Sequence, residues 1–382
     1  MPQPLYKDAA CKKPVANFHK GLWFERFFTY SNLPGKVEES DKKSAIEDVR
    51  GEAGNNGQLN RFAERQIKLV NNLDGQFQIF SLDWHFVTGM GNEHPVENGF
   101  LWHPVLGTPY LQGSSIKGLL RSWLEQNEVS REILHQWFGS AAKKPEPRDK
   151  ENQAGGFIFH DAIPVKSPTV AADIMTPHMG KWYEKGGQNN PANQPETVPA
   201  DWHNPVPVPF LVTKDAAFLF AVSPRTQEMA GQMDLVMEEL GNALEWLGAG
   251  AKTSVGYGSM TRGKEEKQLE RDMFQAIQNR LEEKKQKIIE ASMSPAQLML
   301  HQLRQQLDSD QNNQTVEAGG TCKKGLNELL KSANEQQWSK EDLETLEALA
   351  RDILNHHGPK PNKKGKGKEL MQKIRALLEN RK

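Results

Sequence analysis

A chain of 382 residues, 37% of them hydrophobic, can bury a sizeable core as one large domain or two ordinary ones. Its 48 Lys and Arg against 49 Asp and Glu give a net charge of -1, which excludes a uniformly basic surface, so any anionic partner must be met by local patches. The distant Cys11 and Cys322 exclude a disulfide framework and a zinc-type spacing, and no apolar run approaches the roughly 20 residues of a membrane helix. With no signal-peptide core in "MPQPLYKDAACKK", a reducing cytoplasmic location and two inert thiols are the expectation.

After "HKGLWFERFF", the polar stretch "GKVEESDKKSAIEDVRGEAGNNGQ" reads as a mobile surface segment contributing little to the core. Residues 58–73 place Phe62, Ile67 and Leu69 to Leu73 at helical spacing. In "FSLDWHFV", Phe80, Leu82, Trp84 and Phe86 alternate with polar residues, the period of a half-buried strand. A loop then enters a helix starting near Ser114 or Ser115, with a serine cap, a buried stripe of Ile116, Leu119, Leu120 and Trp123, and Lys117 and Arg121 on a flanking face. "GGFIFHDAI" is a second strand.

Residues 164–205 are too long and too rich in Pro, Asn and Gly for an ordinary connection and read as a functional insertion loop. "VPFLVTKDAAFLFAVS" returns as strand or hairpin. Residues 228–247 repeat Met229, Met233, Val236, Leu240, Leu244 and Leu247 helically and stop at Gly248, after which "GAGAKTSVGYGSM" turns into a last short strand. The order is β-α-β, insertion, β-α-β, an α+β, ferredoxin-like class shared with RNA-recognition (RRM-like) folds. From Gly263 the texture becomes charged and helical, with leucine-rich segments near 295–308, 324–333 and 340–355, so two domains are expected, 1–262 and 263–382. The tail after His357 is basic, with lysines around Lys363 to Lys368, and there is no internal repeat.

The stretch "GTPYLQGSSIKGLLRSWLE" invites a phosphate reading. A phosphate loop of the NTPase kind needs Gly, four residues, then Gly-Lys-Ser/Thr, so that amides wrap the phosphate and lysine and hydroxyl reach phosphate and metal. "GSSIKG" lacks the Gly-Lys pair, and "GAGAKTS" has Ala251 before Lys252 and Trp246 where the first glycine belongs. No dinucleotide fingerprint follows a strand and opens a helix. What remains is hydroxyls, lysines and glycine amides near a helix N-terminus, which suit a nucleic-acid backbone read without base specificity; the alternative is a capped core helix with two solvated cations.

"GMGNEHPVENGFLWHPVLGTPYLQGSSIKGLLR", "FHDAIPVKSPTVAADIMTPHMGKWY" and "GAGAKTSVGYGSM" resemble the RAMP superfamily and, within it, the sixth Cmr subunit of type III-B CRISPR effector complexes. The resemblance spans about residues 18–262, departs at Gln112, where proline is usual, and is silent on 263–382. It implies a non-catalytic, cofactor-free subunit with a RAMP ferredoxin-like core near the tag-distal end of the crRNA, beside the backbone RAMP subunits and the neighbouring end-capping subunit. Ser114, Ser115, Lys117 and Arg121 from the motif helix, and Gly250, Lys252, Thr253 and Ser254 from the glycine loop, would then contact crRNA phosphates. The 164–205 insertion would act as a thumb on the duplex of guide and target RNA.

Two enzyme alternatives stand beside it. Target-RNA cleavage would use an acidic thumb residue, for which Asp173 is the candidate, against a loop aspartate bonded to Thr176 or a backbone amide. Guide processing would use a histidine such as His103 as acid or base, against a structural hydrogen-bonder in a Trp-His-Pro loop. His94, His160, His178 and His203 lack metal-ligand spacing. Trp182, Tyr183 and Trp202 could stack on bases or anchor the insertion to its own core.

Overall fold

The computed structural model describes residues 18–27, 37–140, 153–185, 198–199, 203–313, 321–336, 338–358 and 365–379. It contains two compact units, divided between Ile277 and Gln278. The first mixes helices with antiparallel sheet and the second is helical.

The first unit opens with α1 (Lys20–Arg26), α2 (Glu39–Val49), β1 (Gly51–Glu52), α3 (Asn56–Asn72) and β2 (Gln76–Leu82). The polar stretch expected to be a surface segment therefore contains a helix. Glu38 and Asp41 cap α2 reciprocally, and Ala45, Ile46 and Val49 fall on one face, packed with Phe24, Phe100, Trp102 and Leu211. Few apolar residues are enough when they recur at 3.6-residue spacing.

The main sheet follows from α4 (Gly113–Gln126), α5 (Arg131–Phe138), β3 (Phe157–Phe159), β4 (Ile163–Pro164), β5 (Thr169–Met175), α6 (Gly180–Lys185), β6 (Val208–Lys214), β7 (Ala217–Pro224), α7 (Gln227–Ala230), α8 (Met233–Trp246) and β8 (Met260–Thr261). Its strand order is β3-β7-β2-β8, with β4 also paired to β7, and every pairing is antiparallel. Phe80, Phe218, Phe220 and Val222 point toward α4 and α8. The alternate residues Ile79, Leu219 and Ala221 are also buried, on the face where α3 packs against β2 and β7. Burial from both sides explains why all of β7 is covered.

The insertion differs from the expected loop. β5 and β6 pair along their whole length, Thr169 opposite Lys214 to Met175 opposite Val208, and with β1 they form a second sheet. β6 and β7 are thus strands of two sheets and no hairpin; the chain crosses between sheets at Asp215, in the left-handed region at φ 52°. Residues 186–197 and 200–202, Trp202 among them, lie outside the described residues. β2 also ends earlier than its alternation suggests. The Asp83 amide bonds to Ser259, and Trp84 is 59% exposed beyond the strand.

The division into units falls inside α9 (Lys264–Ser292) instead of before it. β8 covers only Ser81 and Leu82 of the β2 edge, so β2 has donors beyond it that need partners. Glu270 supplies one: its Oε1 accepts the Ile79 amide at 2.7 Å. Arg262 clasps the same carboxylate at 2.7 and 2.6 Å, and Ser81 donates to Glu266 at 2.6 Å. The first turns of α9 therefore complete the sheet edge.

The second unit packs α10 (Pro295–Asn312), α11 (Thr321–Glu335), α12 (Lys340–His357) and α13 (Lys366–Glu379). Leu303, Leu307, Leu326, Leu346, Ile353 and Ile374 lie in its core. Lys363 and Lys364 of the basic tail lie outside the described residues. Among the described residues no helix is long and apolar enough to cross a membrane.

Candidate nucleic-acid interface

One face of α4 and the glycine loop wall an open cleft of about 770 Å³ in the first unit. From the helix come Ser115, Leu119, Ser122 and Gln126, spaced i, i+4, i+7 and i+11 and hence on one stripe. Facing them are Gly248 to Ala251 and Thr253, and the floor includes Thr88 and Gly89 to Asn92. The polar lining consists of hydroxyls, carboxamides and peptide groups, and no carboxylate is among the described lining residues. Such a wall accepts an anionic strand without repulsion and offers donors to phosphate oxygens.

The start of α4 differs from the serine cap expected. Gln112 occupies the N-cap position without a side-chain bond, and the Gly113 amide donates to Asp161 Oδ1 at 2.7 Å. A carboxylate of the protein already fills the anion position at this helix end. Gly113 is required by close approach: a Cβ there would sit 2.1 Å from the Phe159 carbonyl oxygen.

The glycine loop folds onto the segment after β2. Gly250 has φ 88°, and a Cβ on it would meet the Val87 carbonyl oxygen at 2.1 Å. The amides of Ala249, Ala251 and Gly258 donate to Gly258, Val87 and His85 at 2.8, 2.8 and 2.7 Å. Much of the backbone that seemed available to phosphate is thus spent on holding the loop, and the glycines serve that packing. Lys252, at φ 61°, lies over the Phe210 ring at 5.3 Å, against the β5 and β6 sheet.

With this geometry in view, comparison with known proteins is decisive. The family model of the RAMP superfamily matches residues 83–261, which contain both walls of the cleft. The CRISPR system Cmr subunit Cmr6 of Pyrococcus furiosus is 30% identical to this chain, over 52% of this chain and 72% of that protein. The chain belongs to the Cmr6 family of the RAMP superfamily. Solved structures similar to it include a type III-B Cmr-beta bound to cognate target RNA, 19% identical with TM-score 0.45, over 64% of this chain and 80% of that one. The crystal structure of Cmr6 from Pyrococcus furiosus is 25% identical with TM-score 0.28, over 50% of this chain and 97% of that one.

In this Cmr6-family chain the structure brings together Ser115, Gly250 and Thr253 of the eight residues singled out from the sequence. Ser114, Lys117, Arg121, Lys252 and Ser254 do not line the cleft. Lys117 and Arg121 lie two residues round the helix from the cleft stripe, across the buried line of Ile116, Leu120 and Leu124. Arg121 Nε also donates to Glu125 Oε1 at 2.7 Å. Ser122, Gln126 and Asn92 were missed, although the spacing from Ser115 to Gln126 carried the signal for two of them.

Asp173 lies in β5 and bonds a backbone amide, as its structural alternative expected, and two side chains besides. Its Oδ2 accepts from His85 Nδ1 at 3.0 Å and from the Tyr257 hydroxyl at 2.7 Å, and its Oδ1 accepts the Ile174 amide at 2.8 Å. Burial works to raise this carboxyl, but the bonds from Tyr257, Ile174 and His85 outweigh it and hold it below the ordinary aspartate value. Burial and the bond to Asp173 push the Tyr257 phenol up to about 12.

The histidines are similarly engaged. His103 Nδ1 accepts the amides of Val105 and Leu106, both at 3.2 Å. His94 Nε2 donates to the Phe24 carbonyl at 2.9 Å, and His160 Nε2 lies 2.9 Å from Ser223 Oγ. Burial holds all three below the ordinary imidazole value. In the insertion, His178 Nδ1 donates to the His203 carbonyl at 3.1 Å, and Trp182 meets the 71% exposed Tyr183 edge-to-face.

Proposed function

We propose that this chain is the Cmr6-type subunit of a type III-B CRISPR effector complex, holding crRNA near its tag-distal end and the duplex of guide and target RNA without cutting either. The observation that carries this reading is the single cleft in which two motifs far apart in sequence, the α4 stripe and the glycine loop, face each other across a lining free of carboxylates among its described residues. Its donors fit a phosphate backbone and carry no base code. Other Cmr subunits are its partners, among them the backbone RAMP subunits and the neighbouring end-capping subunit, and the cytoplasm is its location. The first unit is read as ferredoxin-like. Two interleaved halves, β2-α4-β3 and β7-α8-β8, support this through the sheet order β3-β7-β2-β8.

A purely binding role fits the chemistry of the two enzyme candidates. Asp173 fits a structural role, its Oδ2 accepting from His85 and Tyr257 and its Oδ1 from the Ile174 amide. His103 has its Nδ1 committed to two amides of its own loop.

The test introduces carboxylates into the cleft. Ser122→Glu with Thr253→Glu is expected to weaken single-stranded RNA binding by about tenfold or more, through repulsion of phosphates. Lys117→Glu with Arg121→Glu, on the other flank of α4, is expected to change it far less. The reverse order of effects moves the RNA to that flank, and RNA cleavage by the purified wild-type chain overturns the non-catalytic reading.

A further inference from the structure

We propose that Asp310, Cys322 and His357 form a binding site for zinc-class divalent transition metal in the helical unit. The three residues come from the end of α10, the start of α11 and the last turn of α12. Their donor atoms lie within 4.8 Å of one another. Cys322 Sγ is 3.1 Å from Asp310 Oδ2, and His357 Nε2 is 3.1 Å from the same oxygen. Tetrahedral zinc with sulfur, nitrogen and oxygen ligands sets such donors about 3.3–3.5 Å apart, so the two contacts to Asp310 Oδ2 need to open by only a few tenths of an ångström.

An independent observation points to a missing ligand. The His357 side chain is 3% exposed, its Nδ1 has no hydrogen-bond partner, and its Nε2 has only the Asp310 carboxylate beside it, at 3.1 Å. A buried imidazole so thinly satisfied is costly, and metal coordination at Nε2, shared with the Asp310 carboxylate, offsets part of that cost. The surroundings fit. Gln306 Nε2 donates to Asp310 Oδ1 at 2.8 Å, which fixes the carboxylate with Oδ2 toward the other two donors. Asp310, with its side chain 15% exposed, is the point of entry.

A set of one thiolate, one imidazole and one carboxylate selects zinc over the oxygen-seeking calcium and magnesium. Binding replaces the Cys322 S–H bond to Asp310 with a sulfur–metal bond and releases the thiol proton to water. The thiolate and carboxylate together neutralise the dication, and a solvent molecule completes a tetrahedron. The ion ties the ends of three helices that already share one packed core.

The experiment uses the full chain, stripped with a chelator and titrated with cobalt(II). The expected result is one cobalt per chain, with thiolate-to-cobalt charge-transfer absorption that zinc abolishes by displacement, and a higher thermal midpoint with zinc than with chelator. Cys322→Ser should remove the charge-transfer band, and His357→Gln should weaken binding about 10- to 100-fold. Cys11→Ser should leave band and affinity unchanged. Absence of the band in the wild-type chain overturns the proposal without any variant, so a Cys322→Ser protein that fails to fold does not rescue it. A band that persists in folded Cys322→Ser, or that disappears in Cys11→Ser, overturns it as well.

Discussion

In the helical unit, α10 and α12 begin on caps carried by their own sequence, whereas in the RAMP unit, although α2, α3 and α5 are capped locally, the start of α4 and the edge of β2 are met by residues from elsewhere in the chain. Ser294 caps α10 and exchanges bonds with Gln297 at 3.2 and 3.0 Å, and Ser339 caps α12 through the Asp342 amide at 3.1 Å. By contrast, α4 begins on Asp161, and the open edge of β2 is finished by Glu270. Short-range capping makes an element legible from a dozen residues. Long-range satisfaction makes it stable only when the distant residue is present.

The largest expected effect breaks the RAMP unit at that dependence. A chain ending at Arg262 loses Glu270, leaving the Ile79 amide and Arg262 without their partner. It should be less stable than a chain ending at Ile277 by about 4 kcal/mol, because a largely buried pair has been halved. Urea unfolding of the two truncations measures this; equal midpoints would show that the sheet edge does not need α9.

Next in size, Ile46→Ala tests whether the charged N-terminal stretch belongs to the core. Ile46 is 3% exposed in the cluster with Phe24 and Leu211, so the loss should be about 3 kcal/mol. A change below about 0.5 kcal/mol in the same assay would return α2 to the surface.

The smallest effect lies in the helical unit. Ser294→Ala removes one side of a local capping box and should cost about 1 kcal/mol. The loss should appear in unfolding of the 278–382 fragment as well as in the full chain, since both cap partners are near neighbours in sequence. A larger loss in the full chain than in the fragment would mean that the helical unit also leans on distant residues.

The same contrast accounts for what could be read in advance. The helices at 295–312, 321–335 and 340–357 follow leucine spacing closely, because amphipathic period and serine caps act within one element. Strand β5 was hidden inside a stretch that composition marks as loop, whereas β6 was legible as strand but not its pairing with β5. Their partner is each other, across a connection too long for any hairpin signal. Trp84 illustrates the limit of periodicity: it continues the alternation of β2, but the bond from Asp83 to Ser259 takes the chain out of the strand before it.

By itself the sequence determined the helical periods, the order of elements in the main sheet, the two motifs of the cleft and their family. Tertiary structure alone decided which faces those motifs present. Ser115 and Lys117 are neighbours in sequence but about 200° apart around α4, and only Ser115 lies in the cleft. It also decided that Asp310, Cys322 and His357 converge. Their spacing matches no metal motif, since ligands drawn from three helices are brought together by packing, and packing leaves no fixed interval in the sequence.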